Sequence, residues 1–264
     1  MNPGPFLAQL HRRDRVLALS GWLMIAGLLA ASVAALTDTR LVLGINPWIK
    51  PMKFFSSIAI FLWTMAWFMA ESDARYQRRL SLIRWTMVLA MVGEVVLISM
   101  QAGRGTTSHF NTGTPFDAAV FRAMGVMIVA NSLAVALFLS TLRPVASERA
   151  GYLWGIRAGL VLFVMGSVQG FMMVTNMGHG IPGPDGGPGL PFVNWSTTSG
   201  DLRIAHFIGL HALQVLPLVG FAADRGWATV PARPRLVQVA AVVWLAAMAA
   251  ALMLALAGRP LLGS

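Results

Sequence analysis

Seven uninterrupted apolar runs, at positions 16–36, 52–70, 82–101, 118–142, 156–177, 202–222 and 236–257, dictate what this chain can fold into. About 20 helical residues cross the hydrocarbon core of a bilayer, and every run is about that long. No water reaches backbone N–H and C=O groups there, so only helices or closed barrels can cross. Barrel strands alternate polar and apolar residues over roughly ten positions; these runs are apolar throughout, which selects helices. The sequence therefore predicts an all-α, polytopic membrane protein, a single seven-helix domain over 1–264. Composition agrees, with 56% hydrophobic and 11% charged residues, about half the charged share of a soluble chain. A soluble enzyme with a peripheral anchor, a disordered chain and a nucleic-acid module are all excluded, despite the net charge of +10. The first run follows Arg12, Arg13 and Arg15 and ends Ala-rich, as a secretory signal does. It is longer than the roughly 7 to 15 apolar residues of a signal and reads as a span.

Cytoplasmic flanks of spans carry the excess of Arg and Lys. The N-terminal side holds 13: Arg12, Arg13, Arg15, Arg75, Arg78, Arg79, Arg84, Arg143, Arg149, Arg157, Arg225, Arg233 and Arg235. The other side holds seven: Arg40, Lys50, Lys53, Arg104, Arg122, Arg203 and Arg259. This places the N-terminus in the cytoplasm and the C-terminus outside. The basic balance is then a matter of topology and of contact with the lipid bilayer. Only Lys50 and Lys53 among the 20 basic residues are lysines; with the many Ala and Gly residues this reflects genomic base composition and points to a bacterial inner membrane.

There is no cysteine, so disulfides, thiolate nucleophiles and Cys-ligated clusters are excluded. Any metal site must use His, Met, carboxylate or carbonyl. No lysine lies in the seventh run, which excludes a retinal-type Schiff base there.

Polar groups within a bilayer are costly unless partnered, so their positions carry the functional signal. Glu94 is the one acid well inside a run and is the candidate catalytic group. His206 and His211 lie in the sixth run, with His109 and His179 in outer loops. Glu94 and His211 fall at matching depths, roughly 10 Å and 13 Å from the outer ends of their helices at 1.5 Å per residue. Gln101, Asp117, Gln169, Asn176 and Gln214 are the supporting polar residues at that end. His206 and His211 are five residues apart, hence roughly 140° around the helix, and do not form the i, i+4 pair that chelates one ion. They address different neighbours, with Arg203 beside His206 on one face and Phe207, His211 and Gln214 on another.

These residues predict an outward-facing His/Glu pocket in the third to sixth spans. In the leading reading His206 and His211, with His109 or His179, ligate haem b or a transition metal (copper, zinc or iron) for membrane redox chemistry. Imidazole is a usual axial ligand of haem, and Lys53, Arg104 and Arg203 suit its propionates. The substrate expected is a quinone or other lipid-soluble molecule. The alternative is a proton-coupled small-solute transporter with Glu94 and the histidines as a relay; a third is a structural or partner-binding protein. The Gly/Pro-rich outer loop at 178–200 is either a lid or a connector.

The charge count sets a test of direction. Reporter fusions after Arg149 should register cytoplasm and fusions within 183–189 the outside; the reverse pattern would overturn the orientation and put every candidate ligand on the other side.

Overall fold

The computed structural model describes residues 4–183 and 185–262. It contains eight α-helices: α1 (Gly4–Arg13), α2 (Arg15–Thr37), α3 (Ile49–Met69), α4 (Gln77–Arg104), α5 (Pro115–Leu139), α6 (Ala150–Asn176), α7 (Leu202–Ala222) and α8 (Arg233–Leu256). Seven, α2 to α8, are long and apolar enough to cross a membrane, and the chain is a multi-pass membrane protein. It divides into two compact units, 1–142 with four of these helices and 143–264 with three.

In the first unit α1 is a helix the apolar runs did not announce, because ten residues are too few to span. Its apolar positions recur at helical spacing, and Leu10 is fully buried. Asp14 separates it from α2 in an extended conformation, φ −156°. The same carboxylate caps α2 by accepting from Leu17 N at 3.0 Å and binds Arg84 Nε at 2.6 Å. Between α2 and α3 large rings sit in glycine notches. Trp63 lies where a Cβ on Gly21 would come within 2.2 Å, and Phe55 does the same at Gly27. Trp63 Nε1 then donates to Ala18 O at 3.1 Å, so the indole is satisfied without water. The end of α3 is tied to the end of α5 through Ser72 and Thr141, whose hydroxyls lie 3.0 Å apart.

The second unit is built on direct backbone contact between α6 and α7. Gly151, Gly155, Gly159 and Gly166 face α7, whose Gly209 and Gly220 face back. A Cβ at Gly155 would lie 2.4 Å from Leu216 O, and one at Gly220 would lie 2.1 Å from Gly151 O. Small residues drive helix association in lipid because there is no hydrophobic effect between helices, so close van der Waals approach does the work. At one end Asp224 accepts from Gly151 N at 3.0 Å and Tyr152 N at 2.8 Å, covering two of the donors that α6 leaves open.

The segment between α6 and α7 is folded. Gly180–Ile181 pairs antiparallel with Gly200–Asp201, and Gly189 bridges to Ser196. Gly200 lies against the C-terminal end of α8, where a Cβ would be 2.0 Å from Ala255 O.

Gly155→Val should therefore cost at least about 2 kcal/mol, since backbone cannot yield as a side chain does. Gly125→Ala, with nothing within 4 Å of the new Cβ, should leave the melting temperature of the detergent-purified protein unchanged or slightly raised. Equal effects of the two substitutions would refute the backbone-contact account.

Candidate functional site

The polar residues singled out by sequence gather in each unit by itself. In the first unit they sit where α4 ends and α3 and α5 begin. Asp117, in the first turn of α5, is buried and fully engaged. Thr114 caps α5 by accepting from Asp117 N at 3.1 Å and donates its hydroxyl to Oδ2 at 2.6 Å. Gln101 Nε2 donates to Asp117 Oδ1 at 2.8 Å. Arg104 Nη1 donates to both Asp117 and Gln101. Three side chains from the sequence reading, Gln101, Arg104 and Asp117, are thus brought together as a clamp between two helices.

Beside the clamp is a second group with a different character. Lys50 Nζ lies 3.2 Å from His109 Nδ1, and Ser108 Oγ lies 3.1 Å from the same nitrogen. An ammonium only donates, so Nδ1 is the acceptor and the ring proton sits on Nε2. Phe54, Phe110 and Phe121 surround the imidazole, with ring centroids 6.0, 6.1 and 6.1 Å away. Phe110 holds a left-handed backbone, φ 56°, a conformation that costs about 1 to 2 kcal/mol in a residue with a Cβ. Strain of this kind concentrates at working sites. Glu94 is 3% exposed. The Lys50 charge acts on its carboxylate, yet Oε2 is buried without a hydrogen-bond partner among the described residues. Lys53 is half-buried one turn further along α3.

In the second unit His206 Nδ1 lies 2.8 Å from Gly166 O on α6. Its ring occupies the space a Cβ on Gly170 would claim, 2.9 Å away. His211 Nδ1 lies 2.8 Å from Phe207 O on its own helix, and its ring stacks on Phe207 at 3.8 Å. A carbonyl only accepts, so in both rings Nδ1 carries the proton and Nε2 is the lone-pair nitrogen. The two imidazoles face different neighbours, as the helix angles require. Among the described residues no three His, Asp or Glu side chains form a group that could hold a metal ion.

The 178–200 segment covers this face of α7. Trp195 meets Phe207 edge-on at 5.2 Å. Arg203 donates to Asn194 O and pairs with Asp201 at 2.5 Å. Asp201 also caps α7 by accepting from Arg203 N at 3.0 Å. Asp185 Oδ1 accepts from His179 N at 2.8 Å, and Oδ2 lies 2.5 Å from His179 Nδ1. Burial pushes the Asp185 carboxyl up, but the His179 hydrogen bonds and charge, with the Arg203 charge, outweigh it and hold the group at about 2. Asn176 donates to Gly178 O and Gly180 O, finishing α6. Gln169 Nε2 donates to Leu202 O at 3.3 Å, while its Oε1 is buried without a partner among the described residues. Gln214 is half-buried on α7.

Lys50 makes the contact with His109, and Lys53 lies one turn further along α3. Both flank Pro51, and nothing in the spacing separates them. Ser108, Asp185 and Trp195 lie in loops, where neither period nor burial marks a residue in advance. No family model, curated protein or solved structure matches this chain.

A carboxyl held below its unfolded value near 3.8 contributes stability that is complete above that value and lost as pH falls through the folded one. The 178–200 segment should therefore lose amide protection between pH of about 4 and about 2. Asp185→Asn should lower protection at neutral pH and remove this acid transition. Hydrogen exchange on peptides from the segment reads both, and an unchanged profile in the variant would remove Asp185 as its latch.

Proposed function

We propose that this is a proton-handling protein of a bacterial inner membrane, N-terminus cytoplasmic and C-terminus outside, that couples proton uptake at Glu94 to movement of a small solute. The observation that carries this reading is the Glu94 carboxylate, buried in a spanning helix with Oε2 unpartnered among the described residues. A purely structural acid in hydrocarbon is expected to have its acceptors filled, as those of Asp117 are. Glu94 instead has two accessible states, ionised under the field of Lys50 or protonated and neutral. His109, in contact with both Lys50 and Ser108, would pass the proton between the loop and the carboxyl.

The charge at this end of the unit favours an anionic solute. Arg40, Lys50, Lys53, Arg104 and Arg122 outnumber Asp38, Glu94 and Asp117. Asp38 and Asp117 are already paired with Arg40 and Arg104. A co-transported proton would offset the charge of such a solute, and the phenylalanines around His109 would meet its apolar part.

A second reading rests on the second unit. His206 and His211 each anchor Nδ1 on a backbone carbonyl, the arrangement that orients metal-bound imidazoles. On this reading they hold haem b or a copper, zinc or iron ion for redox chemistry on a quinone or similar molecule. An absorption spectrum with metal analysis of the purified protein separates the two readings. A Soret band or stoichiometric metal, lost in His211→Ala, selects the cofactor.

For the proton reading, infrared difference spectra of the lipid-reconstituted protein across a pH titration should show a protonated-carboxyl band that Glu94→Gln eliminates. Glu94→Gln should also abolish the pH dependence of solute uptake, since an amide cannot cycle a proton. A carboxyl band that never changes with pH would leave Glu94 a permanent partner of Lys50 and sink the reading.

A further inference from the structure

The end of the first unit that carries α1 is strongly basic, and its acids are already used. Asp14 binds Arg84 at 2.6 Å, Glu71 binds Arg13 at 3.2 Å, and Asp73 lies 3.5 Å from Arg75. Arg12, Arg15 and Arg78 are exposed and make no ion pair among the described residues. Arg75 and Arg79, also exposed, both lie over the Tyr76 ring, with guanidinium carbons 4.8 Å and 5.0 Å from its centroid. Contact with one aromatic ring restrains both guanidinium groups, which limits the side-chain freedom that binding an anion must otherwise remove.

In the same unit α1, packed on the end of α3 through Trp67 and Glu71, presents both parts of an interfacial helix. Phe6 stacks on Trp67 at 4.9 Å, yet is 55% exposed. Arg13 is fixed beneath it, over Trp67 at 4.3 Å and on Trp67 O at 2.8 Å. Arg12, about 100° round α1 from Arg13, is exposed. An apolar edge next to a cationic face suits the boundary between acyl chains and headgroups.

We propose that this end of the first unit is a binding site for anionic phospholipid, with the Arg75–Tyr76–Arg79 group gripping the phosphate and α1 lying against the same lipid. Charge complementarity chooses the ligand. A zwitterionic lipid brings its own cation into a field of excess arginine charge, whereas an anionic lipid does not. Arginine suits phosphate because its fork donates two parallel hydrogen bonds. The site is independent of the role given to Glu94.

The test uses the full-length protein in detergent, with phosphatidylglycerol, phosphatidylcholine and inorganic phosphate as separate probes. Native mass spectrometry should show selective retention of phosphatidylglycerol over phosphatidylcholine, and phosphatidylglycerol alone should raise the melting temperature. Arg75→Gln with Arg79→Gln should weaken retention about thirtyfold, roughly fivefold for each basic residue lost at a headgroup. Arg12→Gln with Arg15→Gln, both on exposed positions, gives a second variant that should also lose selectivity if the first is poorly folded. Equal retention of the two lipids, or unaltered retention in both variants, would overturn the proposal. A thermal shift reproduced by inorganic phosphate would assign the site to the free ion and overturn the lipid assignment.

Discussion

A polar group left unpaired in hydrocarbon costs several kcal/mol, and nearly every polar side chain in this protein is arranged to avoid that. Helix starts are capped by carboxylates that also bind a neighbour, as Asp14 does for α2 and Arg84. Hydroxyls within spans turn back onto the carbonyl four residues earlier, at Ser32, Ser56, Thr64, Ser132 and Ser167. Against that background the exceptions are informative. Glu94 Oε2, Ser99 Oγ, Asn131 Oδ1 and Gln169 Oε1 are buried without hydrogen-bond partners among the described residues. Of these Glu94 is ionisable, so it is the group whose state can change with conditions.

Glycine contact between α6 and α7 decides the geometry of the second unit. Because Gly166 and Gly209 touch backbone to backbone, α7 lies close enough for His206 to reach a carbonyl of α6 directly. The same closeness places the imidazole in the notch at Gly170. A larger residue at Gly166 or Gly170 would push His206 away from its acceptor, so the orientation of the histidine is a consequence of residues on another helix. His211 escapes this control. Its acceptor is on its own helix, and its ring position is set locally by Phe207.

The site was legible where local chemistry specifies it. Thr114 caps α5 and Asp201 caps α7, as short polar side chains directly before an apolar run do. The different faces of His206 and His211 followed from helix angle alone. The partners did not follow. Asp117 could have met any of several cations, and that Arg104 and Gln101 take it depends on how the last turn of α4 meets the first of α5. The helix α1 went unnoticed because its Phe6, Leu7 and Leu10 stripe is too short to stand out from flanking charge.

By itself the sequence determined the number of apolar helices and the positions at which polar residues enter them, because the cost of exposing backbone or charge to lipid is set residue by residue. Tertiary structure decided which polar groups meet. Lys50 reaches His109, the 178–200 segment folds over Phe207 instead of hanging free, and Arg75 and Arg79 share one ring. Each depends on distances of a few ångströms between segments far apart in the chain or on rotamers within a turn. Apolar helices are alike to the lipid around them, so hydropathy cannot rank one pairing above another. The ranking came from close contacts, glycine notches and single hydrogen bonds that exist only once the helices are side by side.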